Sequence, residues 1–512
     1  MKVRLLHPDR DFDRSSAPPA QAPDLAEDLG LAVLLGTMAA GDAVIRTVAE
    51  QALLASLHDC DVILYRQQAL DDAVKHPDAV RALYDLAVET LQEEKKIWSW
   101  HGYTPEMNLH HALNVLQLLT RKLRILRQRA SENAERFSSP AFRRLFAMLL
   151  EELDDRYFGE IEEQLERLRF RRGVLVSEGL GRGSSGVGVV LRRPLGARRG
   201  WLRHLRERGD PRLKFEISPQ DDGGHAALDE LRARGINLVA NALSQSSDHV
   251  LSFFTQLRAE LAFYVGCLNL HAELERRGYA TSFPAPHSAS ARILGVSELY
   301  DVVLALTMPT RVVANDLTAD GKGLLLITGA NRGGKSTFLR SLGLAQLMMQ
   351  AGMFVPATSF SGDIASGVFT HFMREEDETM TRGKLDEELD RMSRVVDLIG
   401  PRALLLCNES FGSTNEWEGA DIGEQVVRAL TDAGVRVVLV THVYELARRL
   451  SGDTTDGVLS LRAERLPDGT RTFKVREATP LPTSFGNDIY EAVFGCVNPP
   501  AQADAAAEGT PV

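Results

Sequence analysis

Cysteine is scarce in this 512-residue chain, and the four present, Cys60, Cys267, Cys407 and Cys496, form no C-x-x-C pair. Such scattering excludes a disulfide framework and a zinc cluster and suits a reducing, cytoplasmic setting. Long apolar runs are also missing. The uncharged apolar stretch Leu29 to Gly41 has 13 residues, short of the roughly 20 that a membrane-spanning helix needs. The N-terminus carries Asp9, Asp11 and Asp13 without the apolar core of a signal peptide. No membrane partner is expected. With 44% hydrophobic and 25% charged residues, the composition is that of a globular protein with a large core and about two to four domains.

Net charge is −11, yet it is unevenly spread. Residues 167 to 214 hold 14 Arg and Lys against three acids, Glu178, Glu207 and Asp210. A segment this basic can neutralise phosphates of a nucleic-acid backbone without reading bases, although a solvated arginine face has the same composition. Gly181, Gly183 and Gly186 within it form a G-x-G-x-x-G. The β-like Val187 to Leu191 follows where a dinucleotide fold needs a helix, and the chain has no H-R-D or D-F-G, so neither a dinucleotide nor a kinase site is indicated. The pattern predicts a hairpin over Gly173 to Pro194 with a glycine-rich tip.

The chemistry is concentrated further on. Leu324 to Thr328 is an apolar run leading into Gly329-Ala330-Asn331-Arg332-Gly333-Gly334-Lys335-Ser336, a G-x-x-x-x-G-K-S phosphate loop, with Thr337 next. The glycines let successive N–H groups point at an anion. Lys335 brings a charge to the β and γ phosphates, and the Ser336 hydroxyl is suited to Mg²⁺. Thr337 to Gln350 lacks proline and is rich in Leu and Met, which predicts a helix with its N-terminus toward the phosphates. A second buried strand, Ala403 to Cys407, ends in Asn408 and Glu409. An acid is usual at the first position, where it supports the metal; Asn408 offers a neutral carbonyl oxygen, and Glu409 retains a carboxylate for orienting water. A third run, Arg436 to Val440, ends in Thr441 and His442, at the strand edge where ligands of parallel sheets collect.

Together these segments resemble the ATPase domain of the MutS family, the DNA mismatch repair ATPases. Val313-Ala-Asn315-Asp316 is similar to the segment that the family places near adenine. The phosphate loop, Phe354-Val-Pro-Ala357, Asn408-Glu409, Ser413-Thr414, Glu418-Gly419, Thr441-His442 and Ser484-Phe-Gly486 follow in the family's order. The resemblance implies ATP and Mg²⁺ as cofactors, a homodimer with nucleotide between subunits, and double-stranded, mismatched or branched DNA as partner. It implies that Gly329 to Thr337 and Asn315 bind nucleotide, that Ser336, Asn408 and Glu409 serve the metal, and that Lys335, Glu409 and His442 are catalytic. Thr381 to Lys384 lies where the family starts a helix that reaches a neighbour's γ phosphate.

The expected organisation is a disordered leader at 1–24, a helical lever domain at 25–285 with a basic β insertion at about 171–225, an α/β P-loop ATPase domain with a mostly parallel sheet at 286–496, and a disordered tail at 497–512. Val44-Ile45, Val48, Leu53-Leu54 and Leu57 recur at helical spacing, and Phe142, Leu145-Phe146, Leu149-Leu150 and Leu153 make a core stripe. Adjacent His110 and His111 diverge by about 100° on a helix and do not chelate together. Some 40 N-terminal residues are not expected to hold the family's mismatch reader, whose wedge is Phe-x-Glu; Phe158-Gly-Glu160 is the sole such triplet and falls in a predicted helix. No connector or nuclease domain is expected. An ABC-type ATPase would need an L-S-G-G-Q signature, which is absent. The alternative reading is an ATP-gated scaffold for protein partners with little hydrolysis.

Overall fold

The computed structural model describes residues 1–97, 104–170, 174–182, 186–192, 216–288, 291–374, 383–452, 457–483, 485 and 488. Four helices open the chain: α1 (Ala22–Asp28), α2 (Leu31–Ala39), α3 (Ala43–Leu54) and α4 (Cys60–Lys75). Next come α5 (Pro77–Lys96), α6 (Pro105–Asn133), α7 (Pro140–Glu152), α8 (Asp155–Leu168), strands β1 (Val176–Leu180) and β2 (Gly186–Leu191), and the long α9 (Asp222–Arg276). Two compact units emerge, one of residues 1–13 and 71–265, the other of residues 14–70 and 266–512.

In the first unit, proline at the first turn starts α5, α6 and α7, where its missing N–H costs nothing. The side chains of Thr104 and Asp154 cap α6 and α8 by accepting N–H bonds from Met107 and Tyr157. The expected stripe is buried on α7, where Phe142 and Phe146 join Phe137 and Tyr264 in a cluster with ring centroids 4.7 to 5.9 Å apart. Phe158 lies within α8, buried beneath the Arg124 guanidinium, so the aromatic of that triplet is a core residue, while Glu160 is exposed. β1 and β2 pair antiparallel, Val176 opposite Leu191, as a hairpin predicts. Part of the basic charge is already engaged, Arg167 with Glu163 and Arg169 with Glu166. Residues 193–215 of the basic segment, like the 497–512 tail, lie outside the described residues.

Two expectations about boundaries are corrected. The leader is not disordered: Val3, Leu5 and Leu6 are buried, and the backbone N–H groups of Leu5, Leu6 and Phe12 donate to the carboxylate of Glu260 on α9. Its composition hides this because the acceptor is some 250 positions away in sequence. Residues 25–70 do not belong with the helical unit. Ile45 and Met38 pack against Gly266, Leu29 packs against Gly343, and the Asp28 carboxylate lies 3.8 Å from Arg391, all within the second unit.

The second unit continues with β3 (Ala285–His287), β4 (Leu294–Leu299), α10 (Val302–Thr307), β5 (Asn315–Thr318), β6 (Leu324–Gly329), α11 (Lys335–Gln350), β7 (Ser359–Asp363), β8 (Val368–Phe372) and α12 (Lys384–Leu398). It closes with β9 (Leu404–Asn408), α13 (Glu416–Asp432), β10 (Arg436–Val440), α14 (Tyr444–Gly452), β11 (Val458–Arg465) and β12 (Arg471–Glu477). The main sheet has the order β12-β11-β6-β10-β9-β8, parallel throughout except for the β11–β12 pair. A smaller sheet has the order β3-β7-β4-β5.

β6, β9 and β10 are apolar along their length because both faces are covered. Leu324, Leu326, Leu405, Cys407, Val437 and Leu439 form one core with α12, α13 and α14. Leu406 faces the other way, against α11 at Gly343, where an added Cβ would lie 2.4 Å from its side chain. This winding brings the ends of β6, β8, β9 and β10 to one edge, where an open parallel sheet binds its ligands. Among the described residues no helix is long and apolar enough to cross a membrane.

Candidate nucleotide site

β6 ends at Gly329 and the chain turns through Asn331 to Gly334 into α11, whose first residue is Lys335. Gly334 stands at the N-cap with φ +90°, a conformation that a side chain would strain. The helix N-terminus and loop amides therefore face the same space, as an anion cradle requires. Lys335 is 5% exposed, and its ammonium donates to the carbonyls of Gly329 and Ala330 at 3.0 and 3.2 Å. Burial lowers its pKa, with the neighbouring Glu409 carboxylate pulling the other way. An ammonium resting on loop carbonyls can exchange them for phosphate oxygens at little cost in hydration.

The Ser336 hydroxyl donates to the side-chain oxygen of Asn408 at 2.7 Å, bridging α11 and the end of β9. These two neutral oxygens and the Glu409 carboxylate are hard donors of the kind Mg²⁺ accepts, and Mg²⁺ takes its remaining ligands from water and phosphate. Among the described residues no three His, Cys, Asp or Glu converge as an all-protein metal cage.

Glu409 has φ +57° and Phe411 φ +66°, two left-handed positions around Ser410 that cost about 1–3 kcal/mol each. The Glu409 N–H is held by the Val440 carbonyl at 2.9 Å. Gly419 is required because an added Cβ would lie 2.4 Å from the Phe411 carbonyl oxygen. His442 Nδ1 stands 4.0 Å from the Glu409 carboxylate, so the third strand delivers its imidazole near the acid without a direct hydrogen bond.

A cavity of about 460 Å³ opens beside the loop, between residues 331–338 with Glu409 on one side and Leu304, Met308, Val312 and Val313 on the other. Val313 and Asn315 line it. The Asn315 side chain, however, is engaged with β12: its oxygen accepts from the Val475 N–H at 2.7 Å and its amide donates to the Phe473 carbonyl at 3.3 Å. Asn315 thereby fixes Phe473, which the sequence reading missed. Phe473 has φ +60°, is half exposed and lines the cavity, an aromatic face available to a flat ring. A lone aromatic in an edge strand carries no motif; only the return of β12 beside the loop places it here. The start of α12 at Lys384 agrees with the expected helix start, while Thr381 and Arg382 lie outside the described residues. Phe485 lies under the Arg465 guanidinium at 4.6 Å, and Ser484 and Gly486 beside it are not described.

A glycine-rich loop between a central parallel strand and a helix, with a lysine, a hydroxyl and a second-strand acid converging on it, defines a P-loop nucleotide-binding domain. A family model of MutS domain V matches residues 325–493, and one of the MutS2 N-terminal domain matches residues 58–277. The chain belongs to the MutS family. It is similar to the DNA mismatch repair protein MutS of Chloroflexus aurantiacus, with 28% identity over 226 residues, 43% of this chain and 23% of that protein. It is 30% identical to the MutS of Lactobacillus helveticus over 270 residues, 50% of this chain and 31% of the relative. The MutS of Methanococcoides burtonii is 30% identical over 191 residues, 36% of this chain and 22% of that one. The match thus spans between 22% and 31% of the length of these relatives.

Proposed function

We propose that this chain is a DNA-binding ATPase that binds and hydrolyses ATP at a dimer interface, and thereby switches its grip on mismatched, branched or otherwise distorted DNA in mismatch repair or related DNA maintenance. The observation that carries the reading is the convergence of Lys335, the Ser336–Asn408 pair and Glu409 at the mouth of one cavity. The amides of residues 331–336 and the Lys335 ammonium hold the phosphates, and the adenine lies along the apolar wall toward Phe473. Ser336 and Asn408 would hold Mg²⁺, which would supply neutralisation of charge on the phosphate oxygens. Glu409 orients a water and takes its proton as the water oxygen bonds to the γ phosphorus. The bond to the β-phosphate oxygen breaks, leaving ADP and phosphate. His442, beside Glu409, senses the γ phosphate. Domain-V relatives named for DNA mismatch repair support DNA as the partner, and the basic segment at 167–214 supplies the charge.

One observation favours a second reading. Asn408 in place of an acid weakens the metal site, which suits an ATP-gated scaffold that turns over slowly and acts on protein partners. Steady-state ATP hydrolysis with Mg²⁺, alone and with duplex, mismatched and branched DNA, separates the two, with Lys335→Ala as the blank. The Lys335→Ala protein is expected to lose nucleotide affinity by a hundredfold or more, about 3 kcal/mol of charge-assisted contacts. Stimulation by one DNA form supports the switch and names its ligand; a flat Lys335-dependent rate moves the trigger to proteins, and a rate unaffected by Lys335→Ala removes the site assignment.

A further inference from the structure

Behind Glu409 lies a buried polar chain that the hydrolytic step does not use. Glu388, 6% exposed on α12, accepts the N–H of Phe411 with one carboxylate oxygen. The carbonyl of the same residue lies 3.1 Å from Nε2 of His371 on β8. A carbonyl only accepts, so Nε2 carries the hydrogen. Burial lowers the His371 pKa, which keeps the ring neutral near pH 7 and leaves Nδ1 an acceptor. Nδ1 lies 2.7 Å from the Ser410 hydroxyl, which therefore donates to it, with the His371 carbonyl at 2.9 Å as the alternative acceptor. The His371 ring also stacks on Phe411, with centroids 6.0 Å apart at 22°. Arg391, one turn further along α12, donates to the Phe372 carbonyl at 2.7 Å. Ser410 and Phe411 directly follow Glu409, and Phe411 holds one of the two left-handed conformations of this loop.

We propose that Glu388 is a positioning residue for Glu409: from α12 it fixes the Phe411 N–H, and with His371 and Ser410 it holds the strained loop that aims the Glu409 carboxylate at the attacking water. The inference rests on the hydrolytic reading above and deepens it. A strained loop persists only while its surroundings over-determine it, and Glu388 is the side-chain acceptor for the backbone at its far end. Since α12 begins at Lys384, a displacement of that helix start is relayed to the catalytic acid through one turn of helix and one hydrogen bond. Glu388 lies far enough from the phosphate loop that it lines no part of the nucleotide cavity, so it acts on turnover and not on binding.

The test compares Glu388→Ala and Glu388→Gln with the native protein in single-turnover ATP hydrolysis and in titration with a fluorescent ATP analogue. Misplacing a catalytic group by about 1 Å costs up to about a hundredfold, so Glu388→Ala is expected to lose about 10- to 100-fold in turnover while its nucleotide Kd stays within about threefold. Glu388→Gln keeps an acceptor oxygen of the same reach and is expected to restore turnover to within about threefold of native. A folded, nucleotide-binding Glu388→Ala protein with native turnover overturns the proposal, as does a loss confined to Kd. Where the alanine variant does not fold, a folded Glu388→Gln protein with turnover as low as that of Glu409→Gln overturns it equally. Native protein without Lys335-dependent turnover overturns the hydrolytic reading and this one with it, a result distinct from failure of the Glu388 variants alone.

Discussion

Glu260 in the helical unit and Lys335 in the nucleotide unit are both buried charged side chains, and their partners differ in kind. Glu260 receives the N–H groups of Leu5, Leu6 and Phe12 together with the Gln256 amide, and it lies 0% exposed within a core of helices. Lys335 is held by two loop carbonyls at the mouth of an open cavity. A buried group whose acceptor oxygens are taken up by fixed donors, three of them backbone N–H groups, is a pin. One whose partners are spare lone pairs beside a cavity is ready to exchange them for a ligand. The contrast separates structural from functional burial, and it extends to neighbours: the Ser336–Asn408 pair and Glu409 are partly solvent-facing at a sheet edge, whereas His371 and Glu388 behind them are closed off.

The sharpest break of this contrast is at Glu409. Glu409→Gln preserves shape, and the left-handed backbone is no worse for it, but the carboxylate proposed to take the proton is gone. Turnover is expected to fall about 10²- to 10³-fold with nucleotide affinity preserved, so that nucleotide-bound dimer accumulates; single-turnover hydrolysis and sizing with ATP check both. A variant that hydrolyses ATP at the native rate would show that Glu409 is not the base.

The matching break at the pin acts on stability alone. Glu260→Ala leaves three buried backbone N–H groups without their acceptor, at about 1–3 kcal/mol each before relaxation, so a loss of about 3–5 kcal/mol is expected in chemical denaturation of the helical unit. Amide exchange of residues 3–12 should rise with it. Nucleotide affinity should be unchanged; a parallel loss of affinity would end the distinction between pin and site, and unchanged protection of residues 3–12 would remove the pin.

How much of this was legible follows from the range over which each feature is encoded. The apolar run and phosphate loop are fourteen contiguous residues from Leu324 to Thr337, and their strand, turn and helix appear where the glycines and apolar run place them. The strand ends at Asn408 and Val440 are legible for the same reason: a run covered on both faces needs no distant partner to be recognised. The N-terminal segment was misread because Leu5 and Leu6 look like a short apolar interruption in a polar leader until Glu260 is brought to them. The helical spacing from Val44 to Leu57 marks α3, but residues 25–70 are assigned to the wrong unit, since periodicity identifies a buried face and not what buries it, and the start of α1 falls in the stretch expected to be disordered. Phe473 had no local signal. Glu388 had a faint one, an acid beside Leu389 on the apolar stripe that Met392 and Val395 continue, where a solvated charge is out of place.

The smallest expected effect is also the most discriminating. Asn408 accepts the Ser336 hydroxyl hydrogen through a neutral oxygen, so the proposed metal shell would receive its geometry without the negative charge an acid would add. Asn408→Asp is nearly isosteric and keeps that acceptor, and it adds one charge a few ångström from the proposed Mg²⁺ position. Two unit charges 4 Å apart attract by about 4 kcal/mol at a surface-like effective dielectric of 20, but most of that is returned in desolvation and repulsion from the phosphates. A net gain of about 0.6–1.4 kcal/mol, or roughly three- to tenfold in turnover, is therefore expected, together with half-saturation at lower Mg²⁺. The measurement is steady-state hydrolysis across a Mg²⁺ titration. Faster turnover at lower Mg²⁺ would mean that Asn408 restrains an otherwise complete ATPase. An unchanged or slower rate would mean that the carboxamide is the native, working partner of Ser336, and that the metal's missing charge is not what limits the reaction.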